Sequence, residues 1–357
     1  MKFCNDKSKN NKQHLDILSK NGSKTKIGQI YSINRILSRR FFGGIIIKKK
    51  ITRQIMKRFP ITGTFIDEIT YDIPSSNWSH EEWAKDLDNM KAVGIDTMIF
   101  IRGGFEGRTI FPSEHFFCLR KDDFVEFILE EAEKRDMKVF LGLYISNLTW
   151  NDGDVKGEIA ANKLFLGEAT KKYASRRSFG GWYIPHEVAA NSYNIERIVK
   201  NLAAMCKDKT PDKQVLLSPF FKTETSFHTP FTADRFFDEW DGVFESFGKD
   251  VDICAFQDGS APLKSAVEYF KSAKKLCDAH GIKLWANVET FERDVRTLYF
   301  PIPFELLRTK LELLAPYVEK NVTFEFSHFL SPQSIFPSAR NLNKLYVDYY
   351  GTKYYER

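Results

Sequence analysis

The 357-residue chain contains no apolar run of about 18 residues, the length that a membrane-spanning helix requires. It has five cysteines, and no two of them form a Cys-x-x-Cys pair, which argues against a disulfide framework or a zinc site. Also absent are the Gly-x-Ser-x-Gly elbow, the phosphate-binding P-loop and the His-Glu-x-x-His motif. We therefore expect no stable membrane insertion, no metal and no organic cofactor.

Acidic residues are nearly missing from the first 58 residues, which hold Asp6 and Asp16 but no glutamate. Sixteen Lys or Arg residues against these two give the segment a net charge of +14. The remaining 37 Lys or Arg against 45 Asp or Glu leave the body at −8, which argues against a nucleic-acid-binding surface there. We expect residues 1–59 to form a basic, disordered extension. A basic arm that binds a membrane or nucleic acid is the alternative.

From residue 60 onward, short apolar strands alternate with amphipathic helices. The predicted strands are rich in Val, Ile and aromatic residues and cover 61–66, 96–101, 138–145, 180–187, 214–221, 251–259, 282–289 and 321–329. The first helix carries clear boundary signals, because Ser79 and Glu82 can form a capping box and Gly94 ends the helical pattern.

This alternation indicates a parallel sheet. Eight units in about 300 residues fit a closed (β/α)8 TIM barrel, which we expect to form a single domain over residues 60–357. A doubly wound open sheet is the alternative, but the stretch after the first strand lacks the Gly-rich loop that such folds usually carry.

Polar residues gather at the carboxyl ends of the predicted strands, where barrel enzymes keep their active sites. In strand seven, Trp285, Asn287 and Glu289 alternate with apolar residues and should face the barrel axis. The same alternation points Glu187 inward from strand four and Glu325 inward from strand eight. Carboxyl groups that share a partly desolvated cavity have their pKa values pushed apart, as general acid catalysis requires. The alternative is that each carboxylate is structural.

Five stretches of the body together resemble a known family: ITGTFIDE, IDTMIFIRGG, GGWYIPHE, FQDG and WANVETFE. They are similar to the bacterial family called domain of unknown function 4434, across most of residues 60–350. The resemblance implies a TIM barrel of the glycoside hydrolase type. Many relatives are exported, whereas this chain shows no clear signal peptide, so we expect a cytoplasmic location.

The arrangement also resembles the large clan of retaining glycosidases, in which an acid/base glutamate ends strand four and a nucleophilic glutamate ends strand seven. The matching residues here are Glu187 and Glu289. That clan has asparagine before the first glutamate, and this chain has His186. The resemblance implies hydrolysis of an oligosaccharide or polysaccharide. Other residues expected to bind substrate or tune the pair are Glu68, Arg102, Tyr144, Asn147, His186, Asp258, Trp285, Asn287 and Glu325.

Two of these residues are aromatic, Trp285 and Tyr144, and their flat faces suit stacking on a sugar ring. Two functional alternatives stay open. An inverting glycosidase could use Asp258 or Glu325 as its base, and a non-catalytic barrel could bind glycan without cleaving it.

Overall fold

Eight parallel strands close into a barrel in the computed structural model of the protein. The strands are β1 (Ile61–Ile66), β2 (Thr97–Phe100), β3 (Lys138–Gly142), β4 (Phe179–Ile184), β5 (Gln214–Leu217), β6 (Ile253–Gln257), β7 (Lys283–Asn287) and β8 (Lys320–Thr323). Each strand pairs with its neighbours in the chain, and β8 pairs with β1. The predicted (β/α)8 barrel is therefore confirmed.

The structure describes residues 59–70, 74–146, 153–190, 192, 194–223, 232–259, 261–293 and 298–351. The expected basic extension lies outside these residues apart from its last position, and its boundary with the barrel stays a prediction. Asn147, an expected substrate contact, also lies outside the described residues.

A long helix follows each barrel strand. These helices are α1 (His80–Val93), α2 (Phe124–Lys134), α3 (Val155–Tyr173), α4 (Ile195–Lys209), α5 (Ala233–Phe247), α6 (Ala266–His280), α7 (Phe304–Leu314) and α8 (Pro337–Tyr350). The boundary signals of α1 are confirmed, because Ser79 and Glu82 make the capping box and Gly94 takes a φ of 101°. Within the part of the chain that the structure describes, no helix is both long and apolar enough to cross a membrane.

Inward-facing strand residues fill the barrel interior with a cluster of their own. It consists of Phe65, Ile99, Ile101, Phe140, Tyr183, Leu216, Ile253, Ala255, Trp285 and Val322. A larger cluster lies between the strands and the helices and contains Trp182, Leu284 and Ala286. The inward direction predicted for Trp285 is thus confirmed, and Trp182 packs on the outer face of its strand.

Strand eight departs from the prediction. It ends at Thr323, and Phe326–Phe329 form a short helix instead of continuing the strand. Val322 packs inside the barrel, so the predicted facing of this strand is reversed. Because strand side chains alternate, one position of error sends every residue to the opposite face. Glu325 is consequently not delivered to the barrel mouth.

Candidate active site

A cavity of about 370 Å³ opens at the carboxyl ends of the strands, the end at which barrel enzymes carry their active sites. Aromatic side chains supply much of its wall and include Phe65, Tyr183, Phe291, Tyr299, Phe324 and Phe336. Phe291 and Tyr299 come from an antiparallel hairpin, Phe291–Arg293 with Tyr299–Pro301, which follows β7. We call this space the inner cavity.

Both predicted catalytic glutamates, Glu187 and Glu289, line the inner cavity. They also line a second space of about 780 Å³, the outer cavity, together with Gln257, Phe291 and Arg293. The two cavities thus meet along the carboxylate pair. A molecule bound at the pair can extend in both directions from it.

Glu289 lies in a charged but partly desolvated setting. Its backbone N–H donates to Asp258 Oδ1 at 2.9 Å, and Lys310 Nζ lies 3.1 Å from Asp258 Oδ2. Burial raises the pKa of the Glu289 carboxyl to about 7, and the Asp258 charge adds to this effect. Lys310 and Arg293 oppose it, while Glu187 raises the pKa slightly further. Glu289 can therefore hold or release a proton near neutral pH.

The carboxyl of Glu289 packs directly onto Gly259, two residues beyond the end of β6. A Cβ atom at position 259 would lie 2.0 Å from Glu289 Oε2 and 2.1 Å from its Oε1. Distances this short are far inside van der Waals contact, so any side chain there would move the carboxyl. Glycine at this position is what leaves room for the Glu289 carboxyl.

Glu187 follows β4 after Pro185 and is exposed at the rim of the cavity. The strand is fixed beneath it from both faces. Trp182 is buried on the outer face, where its Nε1–H donates to Thr210 Oγ1 at 2.8 Å. Tyr183 lies on the inner face and lines the inner cavity. The exposure of Glu187 leaves its carboxyl in contact with water, while Glu289 is mostly withdrawn from it.

Among the expected substrate contacts, Arg102 and Asn287 line the inner cavity. Arg102 Nη1 donates to Thr70 Oγ1 at 3.1 Å and its guanidinium lies 5.3 Å from the centre of the Phe105 ring. Asp258 lies behind Glu289 instead of on the wall, because it is buried and bonded to Glu289 and Lys310. From this position Asp258 is better placed to shift the pKa of Glu289 than to contact a ligand directly.

Two expected contacts are fully buried, which corrects the sequence prediction. His186 is 0% exposed and its Nε2 lies 3.0 Å from Glu158 Oε1. Glu325 is also 0% exposed and sits behind the cavity wall. Neither residue lines a described cavity, and His186 instead ties β4 to α3 through Glu158.

Three more expected contacts, Glu68, Tyr144 and Trp285, lie away from both cavity walls. Glu68 accepts from Ser75 Oγ and Arg120 Nη1, and burial raises its pKa to about 7. The Tyr144 hydroxyl accepts from the Gly107 N–H at 2.9 Å.

Trp285 packs in the barrel interior, where its ring centre is 6.3 Å from that of Phe140. The Tyr144 ring is likewise covered, because it stacks on Phe116 at 4.8 Å. Neither ring lines a described cavity, so the structure gives no support to the predicted stacking roles.

Sequence reasoning missed several residues that the fold brings to the cavities. Tyr183 was detectable, because it shares its strand parity with Glu187. The hairpin residue Tyr299, the helix residue Lys310 and the cavity-lining His328 carry no local signal. Each reaches the site through the tertiary structure alone.

The barrel with paired carboxylates at its mouth is a TIM barrel of the glycosidase type. The family model described as "Domain of unknown function (DUF4434)" matches residues 61–336, and the chain belongs to this family. The resemblance inferred from the sequence motifs is thus confirmed.

Solved structures share this fold. A Bacteroides thetaiotaomicron protein, provisionally described as an α-L-fucosidase, is 35% identical with a TM-score of 0.78, over 87% of this chain and 99% of its own. The endo-1,4-β-mannanase of Rhizomucor miehei is similar in fold, with 11% identity and a TM-score of 0.54, over 80% of this chain and 95% of its own. The comparison with curated proteins gives no match.

Proposed function

We propose that the protein is a glycoside hydrolase that cleaves an oligosaccharide or polysaccharide by means of Glu187 and Glu289. One observation carries the proposal: the two glutamates, from the ends of β4 and β7, jointly border both cavities. Most glycoside hydrolases use two carboxyl groups that flank the scissile bond. The similar proteins described as an α-L-fucosidase and a mannanase support a carbohydrate substrate.

The two cavities suit a substrate with sugar units on both sides of the scissile bond. Their volumes of about 370 and 780 Å³ fall in the range typical of ligand sites. The aromatic walls of the inner cavity suit the apolar face of a sugar ring. In this reading the glycone occupies the inner cavity and the leaving group occupies the outer one.

A retaining mechanism assigns one role to each glutamate. Glu187 protonates the leaving oxygen while Glu289 attacks the anomeric carbon, which forms a glycosyl-enzyme. Glu187 then removes a proton from a water molecule, whose oxygen attacks the anomeric carbon and breaks the ester bond to Glu289, which releases the sugar. Its exposure to solvent suits this exchange of protons. Lys310 and Arg293 favour the ionised form of Glu289 that attack requires.

The pKa of Glu289 favours a second assignment. A carboxyl with a pKa of about 7 is well matched to general acid catalysis at neutral pH, so the roles of Glu187 and Glu289 could be exchanged. An inverting mechanism with Asp258 or Glu325 as base has less support, because both side chains are buried and neither lines the described cavities.

The test is hydrolysis of aryl glycosides, beginning with an aryl α-L-fucoside, and of oligosaccharides. We expect Glu187→Gln and Glu289→Gln each to lose most of the activity, and His115→Gln, an exposed control away from both cavities, to keep it. NMR of the first product anomer separates retention from inversion. Full activity in both glutamine variants contradicts the assignment, and glycan binding without turnover supports a binding-only barrel.

A further inference from the structure

A histidine and a glutamate form a buried pair directly behind the inner cavity. His328 lines the cavity and is 5% exposed, and Glu325 behind it is 0% exposed. His328 Nδ1 lies 3.1 Å from Glu325 Oε1. Within the described residues, Nε2 on the opposite edge of the ring has no hydrogen-bond partner. A buried polar atom without a partner is costly, and a ligand in the adjoining cavity can supply one.

The surroundings of the pair favour the neutral form of both groups. Burial raises the pKa of Glu325 well above its usual range, and the carboxylates of Asp67, Glu68 and Asp86 add to this. Burial also lowers the pKa of the His328 imidazole to about 3. Within the described residues, neither carboxyl oxygen of Glu325 has a hydrogen-bond partner either. Protonated Glu325, whose Oε1 lies 3.1 Å from Nδ1, can turn its O–H toward that nitrogen, which leaves the imidazole proton on Nε2. The free edge of the ring is then a hydrogen-bond donor.

The segment that carries the histidine is anchored on several sides. The Phe326 N–H donates to Thr64 Oγ1 at 2.9 Å, and Ser327 Oγ donates to Asp86 Oδ2 at 2.8 Å. Ser334 Oγ donates to the His328 carbonyl. The ring is therefore held in place before any ligand arrives, as a preorganised binding group requires.

We propose that His328 is a specificity residue of the inner cavity, whose Nε2–H donates to a hydroxyl of the bound sugar, and that Glu325 is the positioning residue that fixes this tautomer. The inference rests on the proposed function, since it takes the ligand to be a sugar. It also gives a role to Glu325, which the sequence had placed on the cavity wall itself.

A second buried histidine in the chain shows what a purely structural pair looks like. His186 and Glu158 lie 3.0 Å apart, both side chains are 0% exposed, and neither lines the described cavities. His328 differs because its ring forms part of the cavity wall. That difference in placement favours a ligand contact over a structural role.

The first measurement is the tautomer of His328, from ¹⁵N NMR of the histidine-labelled full chain without ligand. We expect a neutral ring protonated on Nε2, with the same signature in Glu325→Gln, because the Gln amide can still donate to Nδ1. Glu325→Leu should lose it. A ring protonated on Nδ1 in the parent protein overturns the proposal.

The second measurement is calorimetric affinity for monosaccharide-sized iminosugars of fuco, galacto, gluco and manno configuration. His328→Phe keeps an aromatic ring at this position but removes the donor, and should weaken binding of the best of these iminosugars by about 10-fold or more. KM should rise in parallel, with a smaller change in kcat. Ser327→Ala, which loosens the same segment without changing the ring, is the matched control and should change affinity less.

The outcomes separate this inference from the proposed function. Turnover of a glycoside together with unchanged iminosugar affinity in His328→Phe overturns the role of His328 alone. Absence of both turnover and iminosugar binding in the parent protein overturns the proposed function and this inference with it. Equal losses in His328→Phe and Ser327→Ala indicate a structural role and also overturn the inference.

Discussion

The charge of Asp258 should set the pH at which Glu289 works, and Asp258→Asn isolates that charge. The asparagine side chain keeps an oxygen that can accept from the Glu289 N–H, which lies 2.9 Å from Asp258 Oδ1 in the parent protein. The asparagine carries no charge, so it no longer repels the Glu289 carboxylate. It also frees Lys310, whose Nζ lies 3.1 Å from Asp258 Oδ2, to act on Glu289. Both effects lower the pKa of Glu289 from its value of about 7.

Burial is the largest cause of the raised pKa and is left intact, so the expected decrease is about one unit, or about 1.4 kcal/mol. At pH 6 the ionised fraction of Glu289 would then rise from about 10% to about 50%. The assay is the pH dependence of kcat/KM on any glycoside that the parent protein cleaves. The limb of this pH profile near pH 7, which reports the ionisation of Glu289, should move to lower pH by about one unit.

The direction of the limb identifies the role of Glu289. A nucleophile must be ionised, so activity would rise with pH through this limb, and a general acid must be protonated, so activity would fall. Lys310→Met is the control of opposite sign, because removing the cation should move the limb to higher pH. A limb that stays in place in Asp258→Asn, or moves to higher pH, would refute the electrostatic coupling.

Three further predictions follow from the same packing and charges. Gly259→Ala should reduce kcat by about 100-fold or more with little change in Tm, because the new Cβ displaces the Glu289 carboxyl; unchanged kcat would show that the carboxyl need not lie there. Glu289→Gln should be more stable than the parent at pH 8 by up to about 3 kcal/mol, since the pKa of Glu289 rises on folding. In the parent protein, the stabilisation that Glu289 contributes is greatest below pH 4.5 and is lost as pH rises through about 7. Urea unfolding should therefore show the difference in stability between Glu289→Gln and the parent closing in acid. A difference that widens in acid would contradict this. Trp285→Ala should cost about 3–5 kcal/mol of folding free energy, because the ring fills the barrel interior; reduced glycan affinity at unchanged stability would instead restore the stacking role.

Local sequence patterns were sufficient to predict most of the barrel. The capping box and Gly94 fix the ends of α1, and alternation places Trp285 inside and Trp182 outside. These patterns failed at strand eight, where Val322 packs inside the barrel and Glu325 does not face the barrel axis as predicted. The stretch after Thr323 alternates like a strand but is helical, since contacts with distant residues such as Thr64 override the local preference.

Strand and helix periodicity and the parity of β4 and β7 are local properties of the chain, so the barrel and the two glutamates at strand ends can be predicted from the residues alone. The surroundings of those glutamates depend on the tertiary structure. The contact of Gly259 with Glu289, the ion pair of Lys310 with Asp258 and the burial of Glu325 behind His328 join segments that are distant in the chain. Burial and neighbouring charge set the pKa of a carboxyl, and both depend on which segments meet once the barrel has closed.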